Sequence, residues 1–89
     1  MIEREVAIVN RLGLHARAAA KLVHLASGFR SQVEVVSNGE SVDAKSILGL
    51  LLLAASQGSQ VRIRCHGADE SEALAAIESL FAERFGESE

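Results

Sequence analysis

Residues 32–44 (QVEVVSNGESVDA) decide the fold. A β-branched run stops at Asn38-Gly39, a pair that tolerates positive φ at both central positions of a tight hairpin turn. The stretch therefore predicts two antiparallel strands, 32–37 and 40–44, joined by two residues. A second strand signal lies downstream at 60–66 (QVRIRCH). Val61, Ile63 and Cys65 alternate there with Arg62, Arg64 and His66, the pattern of a sheet with one wet face. Glu34 fits the same uncovered face.

Working outward, residues 2–9 (IEREVAIV) read as a strand with Val6 and Ile8 on one side. Residues 16–27 (ARAAAKLVHLAS) read as a helix, because Ala costs least in a helix. Ala16, Ala19, Ala20, Val23 and Ala26 form its apolar stripe, with Gly28 as the stop. Ser46 opens a second helix, 46–55, ended by Gln57-Gly58. Asp69 is the expected N-cap of a third helix, 70–83, with Glu72 as its capping-box partner. That helix should bury Leu74, Ile77 and Phe81, with Leu80 flanking. The order is βαββαβα. It predicts an α+β fold, an open-faced sandwich of a four-stranded antiparallel sheet with three helices on one face.

The chain has 89 residues, 48% of them hydrophobic and 24% charged, which is enough apolar material for one small core and argues against disorder. A net charge of −3 weighs against a nucleic-acid binder, and 3% aromatics without Trp or Tyr weigh against base stacking. The single Cys65 forms no internal disulfide, and one cysteine with three histidines makes a poor zinc set, so no metal and no cofactor is expected. No apolar run approaches the ~20 residues that span a bilayer. The acidic start, Met1-Ile2-Glu3-Arg4-Glu5, is unlike a signal peptide. A reduced, cytoplasmic, monomeric protein with no membrane contact is expected.

The informative chemistry lies at Leu12-Gly13-Leu14-His15-Ala16-Arg17-Ala18. A glycine turn enters a helix that lacks Ser, Thr, Asp or Asn at its start, so its first N–H groups have no obvious acceptor. Such an end, with the positive pole of the helix dipole, suits an anion and especially phosphate. His15 stands at that mouth. An imidazole there is disfavoured as the cation, and a neutral ring keeps a lone pair for nucleophilic attack. Arg17 can neutralise a phosphoryl group carried by the ring. The plain alternative is a loop histidine beside a solvated arginine. His24 and His66 read as surface residues, and Cys65 as a small buried apolar group.

The second feature is Lys45-Ser46-Ile47-Leu48-Gly49-Leu50-Leu51-Leu52-Leu53. A helix this apolar cannot hide every side against one sheet face. Ile47, Leu48, Leu51 and Leu52 are therefore candidates for an exposed docking patch. Ser46 is the natural N-cap and a reachable target for phosphorylation.

These two segments resemble the HPr family, the phosphocarrier proteins of the bacterial phosphoenolpyruvate-dependent phosphotransferase system. The resemblance covers nearly the whole chain, and residues 1–89 are read as one HPr-like domain. Gly13-Leu14-His15-Ala16-Arg17 is the specific part, supported by Lys45-Ser46-Ile47-Leu48-Gly49. It implies that His15 accepts a phosphoryl group on Nδ1 from enzyme I and passes it to an enzyme IIA. It also implies that Arg17 steadies the phosphate, and that Ser46 matches the serine modified in some relatives by an HPr kinase/phosphorylase. Ala20, His24, Ile47, Leu48 and Leu51 are the expected partner surface. The chain would be a relay with a covalent phosphohistidine, not a stand-alone enzyme. Ala18 stands where the family usually has proline. The acidic balance and leucine-rich second helix lean toward the nitrogen-related NPr branch. Two alternatives stand beside this reading: a ferredoxin-like small-molecule regulatory module, and a non-catalytic interaction domain using only the leucine patch.

Overall fold

The computed structural model describes residues 1–89. Strands β1 (Ile2–Ala7), β2 (Gln32–Ser37), β3 (Glu40–Asp43) and β4 (Gln60–His66) alternate with helices α1 (Ala16–Ser27), α2 (Ile47–Leu53) and α3 (Glu70–Ala82). A short 3₁₀ turn, Arg84–Gly86, follows α3. All pairings are antiparallel, in the order β1-β4-β2-β3. Three helices cover one side of this sheet, giving the open-faced sandwich expected from the sequence.

Register follows the side-chain alternation, because a one-residue slip would turn every apolar side chain outward. Val33 pairs with Cys65, Val35 with Ile63 and with Val42, and Val6 with Val61. These positions face the helices. Glu3 and Arg64, Glu5 and Arg62, and Glu34 and Arg64 pair on the other face, which stays wet. Arg64 Nε donates to Glu3 there at 3.1 Å. Asn38 and Gly39 both have positive φ, 51° and 81°, as the two-residue hairpin turn requires. β1 stops at Ala7, short of the expected residue 9. Ile8 nevertheless stays in the core and bonds the backbone of Gly58 and Ser59.

The core joins the sheet's inner face to the buried sides of the helices. Ile8, Leu22, Val33, Val35, Leu50, Val61, Ile63, Ile77, Phe81 and Phe85 are all but sealed from water. Each such large side chain contributes about 1.5–3 kcal/mol relative to an exposed one. The Phe81 and Phe85 rings meet at 4.8 Å between centroids in a tilted pair. Cys65 is fully buried, and that burial pushes its thiol upward, with the charges of Glu70 and Asp69 adding to the effect.

Two helix expectations need correction. On α1 the buried side chains are Ala18, Ala19, Leu22 and Ala26, whereas Ala16 and Ala20 face solvent. The sheet selects the face rotated toward Leu22, the bulkier apolar anchor. Asp69 precedes α3 but caps nothing, and the reciprocal arrangement with Glu72 does not form. Its carboxylate instead accepts from the Arg30 and Ser31 N–H groups at 2.9 Å each and from the Ser31 hydroxyl at 2.5 Å. Glu70, not Glu72, accepts from the Gly67 N–H at 3.1 Å. Three donors on one carboxylate outcompete a cap that offers one.

Candidate functional site

The turn between β1 and α1 fixes the site. The buried Asn10 amide donates to the Gly13 carbonyl at 2.8 Å, and the Gly13 N–H donates back to Asn10 O at 3.2 Å. Leu14, buried, donates its N–H to Ala55 O at 2.9 Å. This loop delivers His15 as the N-cap of α1 in an extended conformation, φ −76° and ψ 178°. The helix's first backbone bond runs from the Ala19 N–H to the His15 carbonyl at 2.8 Å. No side chain caps this end and no acid lies in the first turn. The N–H groups of Ala16, Arg17 and Ala18 thus have no intrahelical acceptor, as the sequence led us to expect. Ala18 is fully buried, so a small apolar residue fits at this position in the first turn of α1.

His15 is partly exposed, at 26% of its side chain, and lines a surface cleft of about 450 Å³. Arg11, Leu12, Ala16 and Arg17 line it from the turn and helix, and Glu87, Ser88 and Glu89 from the other side. Arg17 is exposed and enters no ion pair or side-chain hydrogen bond.

The acidic wall of this cleft is the part that the sequence reading missed. After α3 the chain turns through Arg84 and Phe85, both with positive φ, and drops the Phe85 ring into the core. Lys21 Nζ donates to the Phe85 carbonyl at 2.5 Å. The tail then lies across the start of α1. Arg11 holds Glu89 twice, by its backbone N–H at 2.9 Å and by its guanidinium at 2.9 Å. Between these anchors Glu87 Oε2 meets His15 Nε2, and Glu87 Oε1 accepts from Asn10 Nδ2 at 3.0 Å. The bonds from His15 and Asn10 hold the Glu87 carboxyl below its ordinary range. The mouth of the helix is therefore not free of acid. The available signal was Phe85, an apolar residue just beyond the end of a helix and thus a candidate anchor for the tail.

The other candidate residues lie on α1 and α2, which pack against each other. Ala20 and His24 are exposed on α1. Ile47, Leu48, Leu51 and Leu52 are exposed on α2, the last at 72%, and only Leu50 of this helix is fully buried. Leu12, 60% exposed, adds an apolar contact at the cleft. Ser46 caps α2, its hydroxyl accepting from the Gly49 N–H at 3.1 Å. No three His, Cys, Asp or Glu side chains gather into a metal-binding group, and no helix is long and apolar enough to cross a membrane.

The family described as "PTS HPr component phosphorylation site" matches residues 2–83. The chain belongs to the HPr family. It is 54% identical to the phosphocarrier protein HPr of Cupriavidus necator over 89 residues, all of both chains. Among solved structures, an HPr of Thermoanaerobacter tengcongensis superposes with a TM-score of 0.96 at 44% identity, covering all of both chains. A structure described as an HPr dimer from the same organism gives 0.79 at 45% identity, covering 98% of this chain and 100% of that one. Phosphocarrier function in the phosphotransferase system follows from this membership. The ligand-module and interaction-domain alternatives are not favoured.

Proposed function

We propose that this HPr carries its phosphoryl group on His15, taking it from enzyme I and handing it to an enzyme IIA. The observation that supports this most is the placement of the ring as N-cap of α1, ahead of three N–H groups without intrahelical acceptors. Those dipoles, together with the exposed Arg17, suit a phosphoryl group that carries roughly two negative charges at neutral pH. The cleft is open, so the group is steadied without being enclosed. That is what a relay needs, since both partners must reach the same phosphorus.

The docking surface in this reading is Ala20, His24, Ile47, Leu48 and Leu51. Ser46 is the proposed regulatory site for an HPr kinase/phosphorylase. Phosphate at an N-cap favours its helix but sets negative charge beside the apolar patch, which would oppose docking. The 89 residues act as one domain, as a monomer in the cytoplasm, in this proposal.

The test is incubation with labelled phosphoenolpyruvate and enzyme I, followed by mapping of the modified residue. Label on His15 that is lost in acid and kept in alkali is the expected result. His15→Ala should fold normally and take no label. Acid-stable label, or label on His15→Ala, would overturn the assignment.

A further inference from the structure

We propose that Glu87 is a positioning residue that fixes the tautomer of His15, holding the proton on Nε2 and leaving the Nδ1 lone pair free to take the phosphoryl group. The inference rests on His15 being the phosphoryl acceptor, and it deepens that reading.

A carboxylate only accepts hydrogen bonds. With Glu87 ionised, its contact with His15 Nε2 is a hydrogen bond only when that nitrogen bears the proton. The neutral ring then has one lone pair left, on Nδ1. The carboxylate is itself held. Asn10 Nδ2 donates to Glu87 Oε1 at 3.0 Å and to Gly13 O at 2.8 Å, while Asn10 Oδ1 is buried without a partner. An orphaned buried oxygen costs about 1–3 kcal/mol. The amide is thus turned toward the tail and the turn at the expense of its own oxygen. Asn10, Glu87 and His15 form a chain in which a third group orients the partner of a nucleophile, a logic that recurs in activated nucleophiles. The other charges around the pair are Arg11 from the turn, Arg17 and Lys21 from α1, and Glu89 from the tail.

The transfer balances with this proton in place. Nδ1 attacks phosphorus of the phosphorylated donor protein, the Nδ1–P bond forms, and the donor's bond to phosphorus breaks with its electron pair returning to the donor. On delivery the acceptor's nucleophile attacks phosphorus, and the pair of the Nδ1–P bond returns to Nδ1. Because Nε2 keeps its proton throughout, the ring departs as neutral imidazole and not as an imidazolate anion. Glu87 sits on the Nε2 side of the ring, away from the phosphorus.

Ring ¹⁵N spectra of the unphosphorylated protein test this directly, at a pH where the ring is neutral. The parent protein should show the Nε2–H form almost alone, and Glu87→Ala should show a mixture. Glu87→Gln offers an uncharged acceptor and should keep much of the parent's preference. In the enzyme I assay, Glu87→Ala should accept phosphate about tenfold more slowly, by analogy with the lower end of what losing the orienting partner of a metal-ligating histidine costs. Its pH profile should shift, a change that mere loosening of the tail would not produce. Identical ring spectra and identical pH profiles in the parent and in both variants would overturn the proposal. Because the spectra need no phosphorylation, they stand even if the label maps elsewhere, which would overturn the His15 assignment separately.

Discussion

The backbone of Gly13 lies directly against that of Ala55. A Cβ built on Gly13 would sit 2.5 Å from the Ala55 carbonyl oxygen and 2.9 Å from Ser56 Cα, and the residue has φ of +66°. The α1 entrance is thus pressed onto the segment after α2, and only glycine permits both the contact and the conformation. Gly13→Ala should lose about 2–3 kcal/mol from left-handed strain plus the clash. That is roughly 10 °C or more in melting temperature for a chain of this size. Phosphate acceptance should fall with it, since the same turn delivers His15. A thermal melt alongside the labelling assay checks both.

Arg17 should separate transfer from folding. Its side chain is exposed and makes no ion pair, so Arg17→Ala should change stability by less than about 0.5 kcal/mol. Phosphoryl transfer should slow about tenfold, the scale of losing one charge-assisted contact of roughly 1.5 kcal/mol. An unchanged transfer rate would remove Arg17 from the mechanism.

The leucines of α2 should divide in the same way. Leu48→Glu alters a side chain that is 68% exposed, so the fold should hold while partner docking weakens. The expected signature is a raised KM toward phosphorylated enzyme I with little change in kcat. Leu50→Ala, by contrast, removes a fully buried side chain and should cost about 2–5 kcal/mol. Steady-state kinetics and melts on the two variants distinguish the patch from the core.

Acid should weaken the contact between the β4–α3 turn and the start of β2. The Ser31 hydroxyl first, then the Arg30 N–H, hold Asp69 down to about 2 from an ordinary 3.8. A depressed carboxyl adds stability that is fully present above the unfolded value and is lost as the pH drops through the folded one. Between about pH 4 and pH 2 the parent should therefore lose more stability than Asp69→Asn. Melting temperatures of both proteins at pH 5 and pH 2.5 give the comparison.

Much of this structure was legible because the signals were local. Alternation in residues 60–66, the Asn38-Gly39 turn and the uncapped start of α1 each act over a few residues, and the structure keeps all three. The face of α1 was misread because a stripe of alanines has nearly the same apolarity all round, and Leu22 decided it through packing. Asp69 looked like a cap in sequence, but Arg30 and Ser31, 39 and 38 residues away, offered it more donors. Glu87 meets His15 across 72 residues, and no periodicity announces such a contact. At the site, the histidine at the uncapped start of α1 was readable, and the Glu87 carboxylate that meets it was not.

Cys65, the chain's one thiol, is sealed under the helices in the middle of β4, with its proton held more tightly than usual. The thiolate is the form that attacks an alkylating reagent, so in the native molecule this sulfur should be silent. It reacts only when the sheet parts from the helices around it. The sulfur is thus a built-in clock: the pace at which an excess of reagent modifies it counts how often the core opens, with no added probe.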